Sequence, residues 1–391
     1  MRILSIFGTR PEAIKMAPVV LRLAVEPAVE SVVCTTGQHR QMLDQMLGAF
    51  GITPDIDLGL MTEGQSLNAL SGQILTRIDA VLEQVKPDRV LVHGDTATAM
   101  AAALPAFQRR IPVGHVEAGL RTYDLQKPWP EEMNRRFVDV VSDLMFAPTE
   151  SSALNLAGER LQGRVVVTGN TVIDALHQAQ VILAGDAGLR GRIDRDLPAF
   201  DSAKRLILVT GHRRESFGGG FQDICSALLR LAADDDVEIV YPVHPNPHVR
   251  EPVHQLLGGR SNVHLVPPQD YFPFVRLMQR ADVILTDSGG VQEEAPALGK
   301  PVLVMRDVTE RPEAVEAGVA ELVGTDPDRI VAATERVLND EAVRLTFARS
   351  RSPYGDGFAA DRIVASLMGR PFEPFAVMSE PMTVAPDRLS A

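Results

Sequence analysis

The chain has 391 residues, of which 45% are hydrophobic and 23% are charged, a balance typical of a globular protein with room for two domains. Its 39 basic and 51 acidic residues give a formal net charge of −12, which argues against a general affinity for nucleic acid or for an anionic membrane. Two cysteines without metal-ligand or disulfide spacing, no apolar run of membrane-spanning length and no signal-like beginning predict a cytoplasmic protein.

Short apolar runs alternate with longer helix-like segments along the chain, which predicts parallel sheets with crossover helices. A first series of strands is predicted at 3–7, 31–35, 89–92, 111–116, 144–146 and 164–167. A second series is predicted at 205–209, 237–241, 263–266, 283–285, 301–304 and 320–323. The stretch between them, 182–204, is rich in Gly, Asp and Arg and is interpreted as a connecting helix and linker. We therefore predict an α/β protein with two Rossmann-like domains that face a cleft.

The first predicted strand ends in a turn that starts a helix. Thr9 can cap this helix, and Glu12, three residues later, can complete a capping box. Arg10 and Lys15 are predicted to meet an anion beside the exposed amides of the helix N-terminus. The alternative is that both are ordinary solvated side chains.

Three acidic side chains follow successive predicted strands. Asp95 comes after Gly94 at the end of one strand, Glu117 follows the next, and Glu131 precedes a helix-like run. Because ligands bind at the carboxyl ends of strands in open α/β sheets, we expect the three to lie close together at one site. Like charges at such distances are costly unless they transfer protons or pair with arginine, so the three are candidate acid–base groups. A helix cap for Asp95 and an ion-paired helix start around Glu131 are the alternatives.

The second series carries basic and glycine-rich turns. The strand 205–209 leads into Gly-His-Arg-Arg-Glu-Ser at 211–216, and three glycines follow at 218–220. His212 is predicted to face the cleft, and the glycines suit the close approach of a phosphate, although they also suit a plain loop. His244 lies in a stiff loop framed by prolines after the next strand.

The strongest nucleotide signal follows the strand at 283–285. Ser288, Gly289 and Gly290 begin a helix there, and the free amides of its first turn can hold a diphosphate. Glu294, about one turn later, is predicted to accept both hydroxyl groups of a ribose. Arg311 belongs to a loop that is predicted to frame the base. A Gly-x-Gly-x-x-Gly motif is absent, so the predicted nucleotide site is not of the NAD type.

Taken together, these motifs resemble the non-hydrolysing UDP-N-acetylglucosamine 2-epimerases, which have the two-domain fold called glycosyltransferase B. The likeness covers residues 1–370 and rests on the order and spacing of several segments. The segments are Gly-Thr-Arg-Pro-Glu at 8–12, Gly-Gln-His-Arg at 37–40, His-Gly-Asp-Thr at 93–96, His-Val-Glu-Ala-Gly-Leu-Arg at 115–121, Pro-Glu-Glu at 130–132, Gly-Asn-Thr-Val at 169–172, Gly-His-Arg-Arg-Glu at 211–215, His-Pro-Asn at 244–246 and Asp-Ser-Gly-Gly at 287–290.

The resemblance implies reversible inversion of the sugar C2, from UDP-GlcNAc to UDP-ManNAc, through elimination of UDP to 2-acetamidoglucal and its re-addition. It implies that Asp95, Glu117 and Glu131 form the acid–base set and that His212 assists the leaving phosphate, while the division of roles among the carboxylates stays open. The residues implied to bind the UDP-sugar are Arg10, Lys15, His212, His244, Ser288, Gly289, Gly290, Glu294 and Arg311. No cofactor and no metal are implied, and a homodimer that serves cell-surface polysaccharide biosynthesis is expected.

The same resemblance predicts the organisation of the chain. An N-terminal domain at 1–175 carries the acid–base residues, and a C-terminal domain at 176–354 binds UDP. A helix at 355–370 is expected to cross back to the first domain, and 371–391 is expected to be a flexible tail.

A second ligand site is a further implication. Gln38, His39 and Gln41 match the segment through which some bacterial members bind an activating UDP-GlcNAc. An arginine of that site is replaced here by Gln73, which argues against activation unless Arg77, one turn later, substitutes for it.

Three alternatives to this function stay open at the level of sequence. One is a 2-epimerase of a modified UDP-sugar, such as a diacetamido uronic acid, and another is a hydrolysing form that releases free ManNAc. The third is a glycosyltransferase, or a nucleotide-sugar-binding protein, with the same fold. The clustered acids argue against this third class, because carboxylates repel a diphosphate.

Overall fold

The computed structural model describes residues 1–37, 40–60, 62, 64–211, 219–349 and 352–377. In these ranges the strands are β1 Arg2–Phe7, β2 Glu30–Thr35, β3 Ile56–Asp57, β4 Arg89–His93, β5 Val113–Val116, β6 Leu144–Ala147, β7 Arg164–Val167, β8 Arg205–Thr210, β9 Val237–Pro242, β10 Val263–Val266, β11 Val283–Thr286, β12 Val302–Val304 and β13 Ala320–Leu322. Each predicted strand has its counterpart in this set. The short β3 was not predicted, because two residues are too few to produce an apolar run.

Helices connect these strands. They are α1 Arg10–Ala24, α2 Arg40–Ala49, α3 Leu67–Val85, α4 Ala97–Gln108, α5 Glu131–Val141, α6 Glu150–Gly158, α7 Thr171–Gly185, α8 Ala187–Asp196, α9 Gly219–Leu231, α10 Pro247–Leu257, α11 Tyr271–Arg280, α12 Gly289–Ala297, α13 Pro312–Glu316, α14 Pro327–Asn339, α15 Glu341–Arg349 and α16 Ala359–Leu367. The first of them begins as its sequence predicts. The Thr9 side chain accepts from the Glu12 amide, and the Glu12 carboxylate accepts from the Thr9 amide.

The strands form two parallel sheets, which confirms the predicted α/β class. The first sheet has seven strands in the order β3-β2-β1-β4-β5-β6-β7, and the second has six in the order β10-β9-β8-β11-β12-β13. Their strands are mainly apolar and buried, because helices cover both faces of a parallel sheet.

The strand order determines where a site can form. In the first sheet the chain runs outward from β1 to β3 and then returns to place β4 on the other side of β1. The second sheet has the same reversal between β8 and β11. At such switch points the loops at the carboxyl ends diverge and leave a crevice. The segments after β1, β4 and β11 carry Arg10, Asp95 and Ser288, and those after the neighbouring strands β5, β9 and β12 carry Glu117, His244 and Arg311.

Two helices join the sheets into one body. Helix α7 packs against α1 beside the first sheet and against α11 and α12 of the second half. Helix α16 comes after the second sheet in the chain and packs against α1 and α7. The polypeptide therefore returns to the N-terminal half after it has completed the second sheet.

Part of the predicted tail packs on the first sheet. The Phe375 ring is buried, and its backbone amide donates to the Val167 carbonyl over 3.0 Å. Residues 378–391 lie outside the described ranges. Across those ranges, no helix is both long enough and apolar enough to span a membrane.

Candidate active site

The three predicted acid–base carboxylates share one cavity. Asp95, Glu117 and Glu131 line a space of about 590 Å³ at the carboxyl edge of the first sheet. Gly289 and Arg311, from the second half of the chain, line the same space. The cavity therefore lies between the two halves, as expected for a cleft.

Glu117 lies at the centre of the polar contacts in this cavity. It follows β5 directly, and its backbone has a φ of +67°, a left-handed conformation that is uncommon for a residue other than glycine. Its Oε1 atom forms an ion pair with Lys15 and accepts from Asn170 Nδ2 over 3.0 Å. Its Oε2 atom lies 3.6 Å from His93 Nε2. The turn thus directs the carboxylate toward groups from three other segments.

The electrostatics of this cluster favour an ionised Glu117. Burial by itself would raise the pKa of Glu117, but the Lys15 ammonium, His93 and the Arg311 guanidinium together hold that pKa well below its ordinary value. Burial also disfavours the charge on Lys15, yet the carboxylates of Glu117 and Glu293 raise the pKa of this lysine. Burial lowers the pKa of His93 to about 3, so its imidazole is neutral near pH 7.

Asp95 is held by arginine rather than by a helix cap. Its carboxylate forms an ion pair with Arg135, and its backbone carbonyl accepts from Asn134 Nδ2 over 2.9 Å. The cap of the following helix α4 is Thr96, whose hydroxyl accepts from the Ala99 amide over 3.1 Å. Asp95 is therefore left to face the cavity, and the alternative that it caps the helix is wrong.

Two adjacent glutamates at the start of α5 have different surroundings. Glu131 is half-buried and lines the cavity. Glu132 is fully buried, and its carboxylate accepts from the amides of Thr122 and Tyr123, each over 3.1 Å. Glu132 thus holds the loop that follows Glu117, while Glu131 stays available to a ligand.

A second cavity, of about 570 Å³, adjoins the first. Most of the predicted nucleotide-binding residues line it, namely Arg10, Lys15, His244, Ser288, Gly290 and Glu294. Lys15 and Pro11 line both cavities, so the two spaces meet at the first turns of α1. Ser288 occupies the N-cap position of α12, and its hydroxyl makes no capping bond there. The start of α12 therefore presents a hydroxyl and free amides to an anion.

Glu294 has the properties expected of a ligand acceptor. Its carboxyl group is buried beside the Tyr271 hydroxyl, and among the described residues neither its Oε1 atom nor that hydroxyl has a partner in ordinary hydrogen-bond geometry. Burial, reinforced by the charge of Glu293, raises the pKa of Glu294 to about 7. Because a buried polar atom without a partner is costly, hydroxyl groups of a bound ligand would satisfy it.

Arg311 lines the cavity of the three acids together with Lys15 and Gly289. Its guanidinium forms an ion pair with Glu293, a buried residue of α12. Its predicted part in holding UDP stays a prediction.

Some predicted residues cannot be placed. His212, Gln38 and His39 lie outside the described ranges, and so does the side chain of Gln41 in α2. Gln73 lies on α3, where its Oε1 atom accepts from Gln65 Nε2 over 2.9 Å. The implied activation site therefore stays a prediction.

Three further polar residues join the site without having been predicted for it. They are His93 at the end of β4, Asn170 after β7 and Glu293 beside Glu294. His93 ends a strand and Asn170 caps a helix, and Glu293 adjoins the predicted Glu294, which was the available signal. Among the described residues, no group of three or more His, Cys, Asp and Glu side chains is arranged to hold a metal ion.

The chain is similar to known proteins of one family. A family model described as UDP-N-acetylglucosamine 2-epimerase matches residues 22–368. The UDP-N-acetylglucosamine 2-epimerase of Escherichia coli O157:H7 is 55% identical over 369 residues, which cover 94% of this chain and 98% of the relative.

Solved structures lead to the same group. The crystal structure of UDP-GlcNAc 2-epimerase from Neisseria meningitidis bound to UDP-GlcNAc has a TM-score of 0.87 at 48% identity, and the match covers 95% of this chain and 100% of that one. The glycosyltransferase of kitacinnamycin, at 17% identity and a TM-score of 0.62, shares the fold alone, with 93% of this chain and 98% of that chain covered. These likenesses confirm the predicted glycosyltransferase B type of fold.

Proposed function

This chain belongs to the UDP-N-acetylglucosamine 2-epimerase family of isomerases, and on that premise we propose that it interconverts UDP-GlcNAc and UDP-ManNAc by elimination and re-addition of UDP. One observation carries the proposal. Lys15 lines two adjoining cavities. One contains the three carboxylates, and the other lies at the start of α12. This arrangement suits a nucleotide diphosphate on one side of the lysine and proton transfer to a sugar on the other.

The diphosphate is held at the start of α12. The amides of Gly289 and Gly290 and the Ser288 hydroxyl donate to its oxygens, and the cations of Arg10 and Lys15 balance its charge. This local positive charge is needed because the chain as a whole carries a net charge of −12. Glu294 accepts hydrogen bonds from the ribose hydroxyl groups.

The proton chemistry takes place among the three carboxylates. The hydrogen at C2 of the sugar is too weakly acidic for simple deprotonation, so its loss is coupled to the departure of UDP. As a carboxylate takes the C2 proton, the C–H electrons form the C1–C2 double bond and the C1–O electrons leave with UDP. In the return step a carboxylic acid protonates C2 on the opposite face, and a UDP oxygen re-forms the bond to C1. Arg10 and Lys15 stabilise the charge that develops on the diphosphate.

Glu117 is the carboxylate best suited to accept the proton. Its ion pair with Lys15 keeps it ionised in the free protein. A bound diphosphate competes for the same ammonium, and withdrawal of that charge raises the pKa of Glu117 and makes it a stronger base. Asp95 and Glu131 then remain as the candidates that return a proton from the other side.

Epimerisation in heavy water without added NAD tests the proposal. We expect the product to carry one solvent deuteron at C2, as measured by proton NMR and mass spectrometry. Retention of the original hydrogen, or a requirement for NAD, contradicts the elimination route.

Two controls distinguish this reaction from turnover of another UDP-sugar and from hydrolysis. A UDP-linked diacetamido uronic acid, tested in parallel at the same concentration, is expected to turn over more slowly than UDP-GlcNAc. Free ManNAc released in stoichiometric amount would indicate hydrolysis instead of epimerisation.

A further inference from the structure

Asn170 connects the two halves of the site through its side chain. It follows β7, caps α7 and is buried, with only 3% of its surface exposed. Its Oδ1 atom accepts from the Val172 amide over 3.0 Å, which is the capping bond. Its backbone amide donates to the Tyr354 carbonyl over 2.6 Å. Both contacts fix the orientation of the side chain, so its Nδ2 group has little freedom to turn away.

The Nδ2 group of Asn170 donates to two carboxylates from different halves of the chain. One is Glu117, whose Oε1 atom lies 3.0 Å away, and the other is Glu293, whose Oε2 atom lies 3.1 Å away. An amide nitrogen has two hydrogens, so both bonds can exist at once. Glu293 belongs to α12 and is ion-paired with Arg311. A continuous path therefore runs from the start of the nucleotide-binding helix to the proton-accepting carboxylate.

We propose that Asn170 is a positioning residue that orients Glu117 for proton transfer and ties it to the position of α12. The inference rests on the proposed function, since it takes Glu117 as the group that accepts the substrate proton. Lys15 and Asn170 both bind the Oε1 atom of Glu117 in the free protein. When a diphosphate draws Lys15 away, Asn170 remains as the donor that holds the carboxylate in place.

The surroundings of this contact are charged on several sides. The titratable and charged groups that face Glu117 and Asn170 are Lys15 on α1, His93 on β4, Glu293 on α12 and Arg311 before α13. A neutral amide is suited to this position, because it donates to two carboxylates without adding a charge between them. A hydrogen bond donated to a carboxylate also lowers its pKa.

Two substitutions separate the capping bond from the bridge. Asn170→Ser keeps a side chain that caps helices well, but it is too short to reach Glu117. Asn170→Asp keeps the shape and the capping oxygen, and its second oxygen donates only when it carries a proton.

We expect kcat of Asn170→Ser to fall about 10- to 100-fold, the effect of losing a hydrogen bond to a charged group. The dissociation constant of UDP should change by less than about threefold, because Asn170 does not line the 570 Å³ cavity of the nucleotide.

The pH dependence of the two variants should differ in direction. The quantity to compare is kcat, which reports the substrate complex, in which the diphosphate has drawn Lys15 away from Glu117. In Asn170→Ser the lost donor raises the pKa of Glu117 further, so the ratio of its kcat to that of the wild type falls as the pH is lowered from 8 to 5. In Asn170→Asp the introduced carboxyl group lies among other carboxylates and takes up a proton as the pH falls, which restores a donor to Glu117. Its ratio to the wild type should therefore rise over the same range.

Asn262→Ser is the matched control. The Nδ2 group of Asn262 also donates twice, to the carbonyls of Ala232 and Val237, each over 3.0 Å, at the start of β10 and far from the site. This variant should lower the melting temperature and change kcat by less than about twofold.

Each result of the series has a defined meaning. A wild-type protein that does not epimerise UDP-GlcNAc overturns the proposed function. If the wild type is active, a normal kcat in Asn170→Ser overturns the inference. The inference is also overturned if both Asn170 variants lose activity in proportion to the decrease in their melting temperature and show the same pH trend. A purely structural role predicts that outcome. Opposite pH trends at a retained affinity for UDP support the inference.

Discussion

The Lys15 ammonium can pair with Glu117 or with a bound diphosphate, and each partner weakens its contact with the other. In the free protein its ammonium is ion-paired with Glu117 in a poorly hydrated cluster, where 16% of the lysine side chain and 9% of the glutamate side chain are exposed. The same lysine lines the cavity that suits a diphosphate. A buried ion pair contributes modestly to stability, but the loss of one partner is costly because it leaves the other charge buried and uncompensated.

Lys15→Met should therefore destabilise the free protein mainly through Glu117. We expect the free energy of unfolding near pH 7 to fall by on the order of 3 kcal/mol. Without the cation, burial raises the pKa of Glu117 above 4.5, its ordinary value, so the folded state binds the proton more tightly than the unfolded chain. The loss of stability should consequently be largest at neutral pH and shrink as the pH falls toward about 4.5.

Chemical denaturation of four proteins checks this prediction. They are the wild type, Lys15→Met, Glu117→Gln and the double variant. The double variant removes both charges, so it should lose less stability than the sum of the single variants. Additive losses that do not vary with pH would show that the pair is not coupled.

At the scale of secondary structure, the N-terminus of helix α16 is capped by a side chain from another helix. Phe358 at its N-cap position makes no side-chain capping bond. The Asp174 carboxylate of α7 takes that role and accepts from the amides of Ala360 and Ala359 over 2.7 and 3.2 Å. This contact links the last described helix to the segment between the two sheets.

The stability conferred by Asp174 should depend on pH. Burial raises its pKa from 3.8 to about 7, so the folded protein holds this proton more tightly than the unfolded chain does. Stability from this group is therefore greatest below about pH 4 and declines as the pH rises toward 7. Asp174→Asn resembles the protonated form at every pH. The variant should gain stability relative to the wild type as the pH rises from 4 to 7, by on the order of 4 kcal/mol at most.

Calorimetric melting of both proteins between pH 4 and 8 measures this difference. Asp361→Asn, in the first turn of the same helix, is the control. Asp361 is exposed and pairs with Arg22, so its substitution should change the free energy of unfolding by less than about 1 kcal/mol. A constant difference between wild type and Asp174→Asn across this range would contradict the prediction.

At the scale of the whole molecule, the two halves are held together by packing more than by surface charge. Ile363 of α16 is fully buried in an apolar cluster that includes residues of α1, α7 and the second sheet. The ion pair of Arg22 with Asp361 spans the same contact, but its side chains are 32% and 55% exposed. Burial of an aliphatic side chain is worth more than a solvated ion pair.

Ile363→Ala and Arg22→Ala should therefore differ widely in their effect. We expect the first to lower the free energy of unfolding by about 2–5 kcal/mol, through lost burial and a cavity. The second should lower it by less than about 1 kcal/mol. Urea titration followed by tryptophan fluorescence and circular dichroism measures both. Equal losses in the two variants would mean that charge, and not packing, holds α16 in place.

The sequence by itself determined the local features of this protein. Strand positions follow from runs of apolar residues, and the start of α1 follows from Thr9 and Glu12, which lie three residues apart. The carboxylates at strand ends, and their meeting at one edge, follow from the parallel arrangement that alternating strands and helices predict. Such features depend on interactions within a few residues, which a pattern can reveal.

Only the tertiary structure decided which side chains meet. Glu117 pairs with Lys15, 102 residues away, and Asn170 bridges Glu117 and Glu293, which lie 53 and 123 residues from it. Glu131 and Glu132 look alike in the sequence, yet only Glu131 faces the cavity. These pairings depend on strand order and on how α7 and α12 pack across the cleft. Because that packing is a property of the whole chain, no local pattern of residues encodes it.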